Sequence, residues 1–314
     1  MSATPRHTAL PPAQDADWIR QPERSSLTWL RIMTWISLRL GRPVSRVLLR
    51  LIAAYFLLFA PAARRASRAY LTRVLGRRSG LGDLYRHFFS FASAIHDRVY
   101  LLNDRFTLFD IRVQGEEVMR NALASGQGVF LMGAHLGSFE AIRAVGRLHT
   151  GVPIAMVMYE DNARKINQIL TAISPTATSD LVPLGRVDSM LQVRERLTRG
   201  NLVGVLGDRT LGDEPGLAVP FLGDTATFPT GPFRLASLMG RPVIFMTGLY
   251  RGGNRYDVHF RPLADFSALP PEGAKRAVAE AVRRYAGLVE EYCREAPFNW
   301  FNFFDFWHRP GQGS

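Results

Sequence analysis

The chain has 314 residues, 39 Lys and Arg against 27 Asp and Glu, and one cysteine, Cys293. A single cysteine excludes an internal disulfide and, with no Cys/His cluster at metal-ligand spacing, no metal is expected. The length allows one large α/β core, and the excess charge is unevenly placed: residues 1–105 hold 17 arginines against six acids, Asp15, Asp17, Glu23, Asp83, Asp97 and Asp104.

Residues 1–26 are polar and proline-bearing, without the apolar run of a secretory signal, and are expected to form a flexible tail. Residues 27–40 set Leu27, Leu30, Trp35 and Leu38 against Arg31 and Arg39, the pattern of an amphipathic interfacial helix, with Trp29 and Trp35 suited to the headgroup boundary. Residues 47–60 are the most apolar segment and end at Pro61. Fourteen helical residues rise about 21 Å, short of a bilayer core of about 30 Å, and Arg50 interrupts the run. The segment therefore reads as embedded or re-entrant, with a true span or a buried helix as the other readings. Arginines interleaved with apolar residues favour an anionic membrane surface over nucleic acid as partner. A basic helical run over residues 64–105 follows, with an apolar stripe through Phe88, Phe89, Phe91, Ile95, Val99 and Leu102.

A strand at residues 110–115 and a helix at 116–125 lead into the stretch that organises the chain, Gly128-Val-Phe-Leu-Met-Gly133 followed by Ala134-His-Leu-Gly-Ser-Phe-Glu140. It reads as buried strand, His-bearing loop, helix start. If Ser138 caps the helix, Glu140 falls in its first turn and can turn back to hold the His135 imidazole. A general base with its tautomer fixed by a carboxylate then needs no protein nucleophile, because the substrate supplies one. The plain alternative is a histidine satisfying a strand-end hydrogen bond.

Strands are expected at 152–159, 182–184 and 202–206, and helices at 160–173 and 187–199; strand, helix and strand in succession argue for parallel βαβ units. Residues 221–232 read as a turn-rich loop before a helix at 233–239, where Pro232 at the first helical position leaves amide donors near Thr230 and Gly231 able to hold an anion or simply to cap. Residues 243–250 and 255–262 form a strand pair through Gly252-Gly253-Asn254, and residues 271–294 a long helix with Cys293 on its core face. Residues 298–308 hold seven aromatics, which close the core, line an apolar wall for a hydrocarbon chain or form an interfacial belt.

The block from His135 to Glu140 resembles the first motif of the lysophospholipid acyltransferase superfamily, and within it the lipid A late acyltransferase branch with its His-x4-Asp/Glu. Asn201-Leu-Val-Gly-Val-Leu-Gly-Asp208-Arg209, Val219-Pro-Phe-Leu-Gly223 and Phe228-Pro-Thr-Gly-Pro232 follow in order, so the resemblance spans about residues 28–308. It implies an α/β fold: one catalytic domain at 62–314 with a mixed, mostly parallel sheet flanked by helices, preceded by a membrane-associated helical anchor at 27–61. It also implies an acyltransferase at the cytoplasmic face of the bacterial inner membrane, taking its acyl chain from acyl carrier protein or coenzyme A as co-substrate, without a bound cofactor. His135 and Glu140 would be catalytic. Arg164 matches a substrate-facing region, and Arg209 a contact for phosphate or the thioester oxygen, positioned by Asp208. In that branch Gln commonly follows the Asp, where this chain has Arg209. Lipid A precursor is the default acceptor, with lysophospholipid or an aryl-polyene lipid anchor as alternatives. A non-catalytic basic membrane or nucleic-acid binding protein is the rival of another class. Serine hydrolase and dinucleotide oxidoreductase lack their motifs, Gly-x-Ser-x-Gly and Gly-x-Gly-x-x-Gly.

Overall fold

The computed structural model describes residues 24–147, 154–174, 181–184, 187–209 and 216–307. Seven strands form one sheet: β1 (Asp110–Gln114), β2 (Val129–Gly133), β3 (Ile154–Tyr159), β4 (Leu181–Leu184), β5 (Leu202–Leu206), β8 (Pro242–Tyr250) and β9 (Arg255–Asp265). Their order is β1-β9-β8-β2-β5-β3-β4, and every neighbouring pair is parallel except β8 with β9. All five residues of β2 are buried, as expected of a central parallel strand covered on both faces. This is the α/β, mostly parallel sheet flanked by helices that the sequence led us to expect.

Helices α3 (Leu81–Leu102), α4 (Glu116–Ala124), α5 (Phe139–Val145) and α6 (Glu160–Ile173) cover one face, around Leu131, Leu202, Ile244 and Val258. The other face, around Phe130, Met132, Val203 and Phe245, packs against α2 (Pro61–Leu75), α7 (Val187–Thr198), α8 (Gly231–Met239) and α9 (Ala274–Glu295). In α9 the buried residues Val278, Ala281, Val282, Tyr285, Val289, Tyr292 and Cys293 fall on one helical stripe, which is why this helix lies flat on the sheet.

Two regions depart from the sequence reading. The expected single basic helix over 64–105 is two helices, because Gly76 takes a left-handed conformation (φ 63°) that ends α2. The expected loop at 221–232 is mostly a hairpin, β6 (Gly216–Phe221) with β7 (Asp224–Pro229). Its two-residue turn, Leu222 and Gly223, has positive φ at both positions, the geometry that suits tight hairpins. Val219 and Phe221 on one strand and Ala226 and Phe228 on the other point into the core.

The N-terminal helix α1 (Arg24–Phe59) breaks at Gly41 (φ 80°) just before Pro43. Beyond the break it is tied to the sheet: Arg42 donates two 2.8 Å bonds to the fully buried Asp97 carboxylate, which also accepts from the Tyr256 hydroxyl at 2.8 Å. The opposite face of the helix leaves Val44, Val47, Leu51, Tyr55, Leu58 and Phe59 exposed. Among the described residues no single helix is long and apolar enough to cross a membrane; only the pair Met33–Phe59 and Pro61–Leu75, bent by 95°, reaches that length and composition together.

Candidate active site

The site is built where two neighbouring parallel strands stop together. Gly133 of β2 is in register with Leu206 of β5, and Gly207 N donates to Gly133 O at 2.9 Å, extending the ladder by one step. The next residues, His135 and Asp208, therefore leave the sheet side by side at its carboxyl edge, where open α/β sheets place their ligands. Nδ1 of His135 lies 2.8 Å from Asp208 Oδ1, and the backbone N–H of His135 donates to Oδ2 at 3.0 Å.

Asp208 has no solvent exposure, yet its carboxylate is well supplied with donors. Besides His135 it accepts from Trp300 Nε1 at 3.1 Å and Asn302 Nδ2 at 2.9 Å. Burial by itself would raise its pKa; the His135 contacts and the nearby Arg209 charge outweigh burial and hold the carboxyl well below the usual carboxylate range. For His135 burial dominates and lowers the imidazole pKa, with Asp208 opposing and Arg209 assisting. The resting pair is thus an aspartate accepting from Nδ1–H of a neutral imidazole, whose Nε2 is left for a proton donor. The His135 side chain keeps 29% of its surface exposed, so the imidazole is recessed but reachable.

The loop bearing His135 is clamped at consecutive residues. Phe301 N donates to His135 O at 2.7 Å, Thr247 Oγ1 to Leu136 O at 3.0 Å, Gly137 N to Asn299 O at 2.9 Å and Ser138 N to Gly248 O at 2.7 Å. Gly137 has a φ of 77°, and a Cβ there would sit 2.1 Å from Gly248 O, so only glycine fits. Together with the His135 N–H bond to Asp208, these bonds use the loop amides of His135, Gly137 and Ser138, which are therefore unavailable as donors to a bound anion.

Glu140 does not hold the imidazole, contrary to the sequence expectation. Ser138 does cap α5, accepting from Ala141 N at 3.3 Å, and Glu140 does fall in the first turn. Its carboxylate, however, turns to α3 and pairs with Arg98 Nε at 2.7 Å, both groups being largely buried. The place assigned to Glu140 on the imidazole is taken by Asp208, 73 residues after the histidine. Asp208 likewise does not position Arg209 directly. Asn302 stands between them, donating to Asp208 while its Oδ1 accepts from Arg209 Nε at 2.8 Å; Arg209 also donates to Phe301 O at 3.2 Å and lies over the Phe304 ring.

Thr230 and Gly231 stand at the start of α8, which packs against α9. Arg164 belongs to α6, but its side chain lies outside the described residues. The expected tail at 1–26 likewise lies almost wholly outside them.

Asn299, Trp300 and Asn302 were not singled out as functional by the sequence. Their signal is the alternation itself: Trp300 and Asn302, two apart on an extended segment, face Asp208 together. The Trp300 ring is fully buried against Tyr70, Phe221 and Phe306, so this part of the aromatic run closes the core. The segment is pinned from α3 by His87, wholly buried, whose Nε2 donates to Trp300 O at 2.8 Å while Nδ1 accepts from Ser67 Oγ at 2.8 Å. Burial lowers the His87 pKa to about 4, partly offset by the bond to Trp300. Because the folded value lies below the unfolded one, the unfolded chain binds the proton first, and stability falls as pH drops from about 6.5 through about 4. Urea unfolding should show a loss of about 2 kcal/mol between about pH 7 and pH 5 that His87→Gln lacks; equal pH dependence in both proteins would refute a neutral His87.

A family model described as bacterial lipid A biosynthesis acyltransferase matches residues 16–309, which includes every element described above. A search of curated proteins finds no match.

Proposed function

Because the chain belongs to the bacterial lipid A biosynthesis acyltransferases, we propose that it moves a fatty acyl chain from a thioester of acyl carrier protein or coenzyme A to a hydroxyl of a lipid A precursor-type glycolipid, with His135 as the base and Asp208 behind it. The observation that carries this reading is the 2.8 Å contact of His135 Nδ1 with a fully buried aspartate, which leaves Nε2 for a substrate hydroxyl.

In this mechanism the acceptor hydroxyl oxygen attacks the thioester carbon while Nε2 takes its proton. Asp208 stabilises the imidazolium that results. The tetrahedral oxyanion needs a donor, and Arg209, whose guanidinium is fixed by Asn302 and Phe301, is assigned to it. Collapse breaks the carbon–sulfur bond, and the imidazolium returns its proton to the departing thiolate, leaving ester and thiol. Glu140 is assigned to holding α5 and the loop against α3 through Arg98 rather than to the chemistry. Arg164 and the Thr230–Gly231 helix start are assigned to phosphate groups of the substrates, on the family resemblance and on the polarity of a helix N-terminus.

The reaction is placed at the cytoplasmic face of the inner membrane. Support comes from the exposed apolar face of α1, which would lie in the plane of the interface because its other face is bound to Asp97. Mass spectrometry of total lipids from cells with and without the protein tests the reading. Loss of one acyl chain from lipid A when the protein is absent is expected. The same loss on lysophospholipid or an aryl-polyene lipid would reassign the acceptor, and an unchanged lipid profile would count against acyl transfer to any of the three.

A further inference from the structure

A groove of about 360 Å³ opens between α1, α3 and the β8–β9 turn, lined by Arg46, Arg86, Arg251, Glu295 and Asn299 among others. A second hollow of about 290 Å³ lies along α1, with Arg46 as a common wall, and adds Arg50. The one acid of this lining, Glu295, is already paired with Arg251. Arg46 is also used by the fold: it donates to Gly253 O and to the Tyr250 hydroxyl, each at 3.0 Å, and lies over the Phe89 ring. Arg50 and Arg86 differ. Both are exposed, and among the described residues neither side chain donates a hydrogen bond. Asp83, the acid on which Arg86 acts, is held by Arg77 at 2.8 Å.

Cationic groups thus line two adjoining hollows that share Arg46, with a single, already neutralised, acid between them. Beside it on α1 lie the exposed Val47 and Leu51, an apolar track leading out of the groove. On the other side the groove wall includes Asn299, whose backbone carbonyl accepts from Gly137 N, two residues after His135. A ligand that satisfies both walls carries phosphate at one end and acyl chains at the other, since arginine pairs match phosphate oxygens through two parallel bonds and the apolar track takes hydrocarbon.

We propose that this groove binds the phosphate of a phosphorylated lipid headgroup, with Arg50 and Arg86 as its free cations and Arg46 as its fixed one. Its purpose, holding a phosphorylated acceptor beside His135, rests on the acyltransfer reading; its occupancy does not. Calorimetric titration of the full chain with dihexanoyl phosphatidic acid, which is soluble without vesicles, reads occupancy with no turnover. The Arg50→Gln/Arg86→Gln double variant is expected to weaken binding by about tenfold or more. Removing the same charge from the exposed face of α9, in Arg283→Gln/Arg284→Gln, is expected to leave binding unchanged. Equal affinity of all three proteins would overturn the site, and equal losses in both variants would replace it with diffuse attraction. Inorganic phosphate is expected to bind far more weakly than the lipid; binding as tight would overturn the lipid headgroup as occupant. Lipid binding by the unaltered protein together with no acyl transfer by it would sink the acyltransfer reading and leave the groove standing.

Discussion

Asp208→Asn is expected to lower turnover by about 10³ to 10⁴-fold, close to the loss from His135→Ala, with little further loss when the two are combined. The same carboxylate-to-amide change in Ser-His-Asp triads has an effect of that size, because an amide neither holds the imidazole in the reactive tautomer nor stabilises the imidazolium. Here the effect has a second source: the aspartate also fixes the backbone of His135 and receives Trp300 and Asn302. Melting temperatures separate the two, since a lost partner for buried donors costs about 1–3 kcal/mol of stability while turnover falls far more. The pH profile adds an independent readout. The base works when neutral, so activity is lost as pH falls through a His135 pKa that burial sets below its ordinary value. Asp208 opposes that lowering, so its removal should move the acid limb of the residual activity to still lower pH. Turnover unchanged by Asp208→Asn would end this mechanism.

Glu140→Ala should destabilise the fold by about 3–5 kcal/mol, the usual cost of removing one partner from a largely buried ion pair. Arg98 is left uncompensated, and Arg143, another largely buried cation that Glu140 steadies, is left facing it. Activity falls because α5 and the His135 loop lose their tie to α3. An Arg98→Met/Glu140→Met double variant should regain part of the lost stability, since the Arg98 charge is gone and with it the repulsion on Arg143, which still lacks its carboxylate. A Glu140→Gln protein that melts like the parent, is inactive and has a displaced acid limb would instead put Glu140 on the imidazole.

Local pattern carried much of this structure. The buried strand, capped helix and intervening loop around His135 were legible because each rests on residues within a few positions: Gly128 to Gly133 as an apolar run, Ser138 as a cap. The β8–β9 pair was legible from its glycine turn. The carboxylate on His135 was not, since spacing along one loop favoured Glu140 and gave no weight to a residue on another strand. Only the register of β2 beside β5 brings Asp208 to that place. The hairpin at β6 and β7 escaped for a related reason: Leu222 at positive φ is an unusual residue for a tight turn, so the turn left little trace. Asn299 and Asn302 were masked by the aromatics around them, whose burial is the more common message of such a run.

The clamp on the His135 loop has a consequence for the order in which the protein becomes an enzyme. The loop, its strand and the neighbouring β5 are all synthesised well before residues 299–302, yet these supply two of its backbone partners, Asn299 O and Phe301 N, and two of the donors that hold Asp208. A nascent chain therefore carries an incompletely held His135 until those residues arrive. Competence for chemistry is in effect a check on the length of chain made, since a product truncated before Asn299 retains His135 and Asp208 but lacks half of the bonds that clamp the loop.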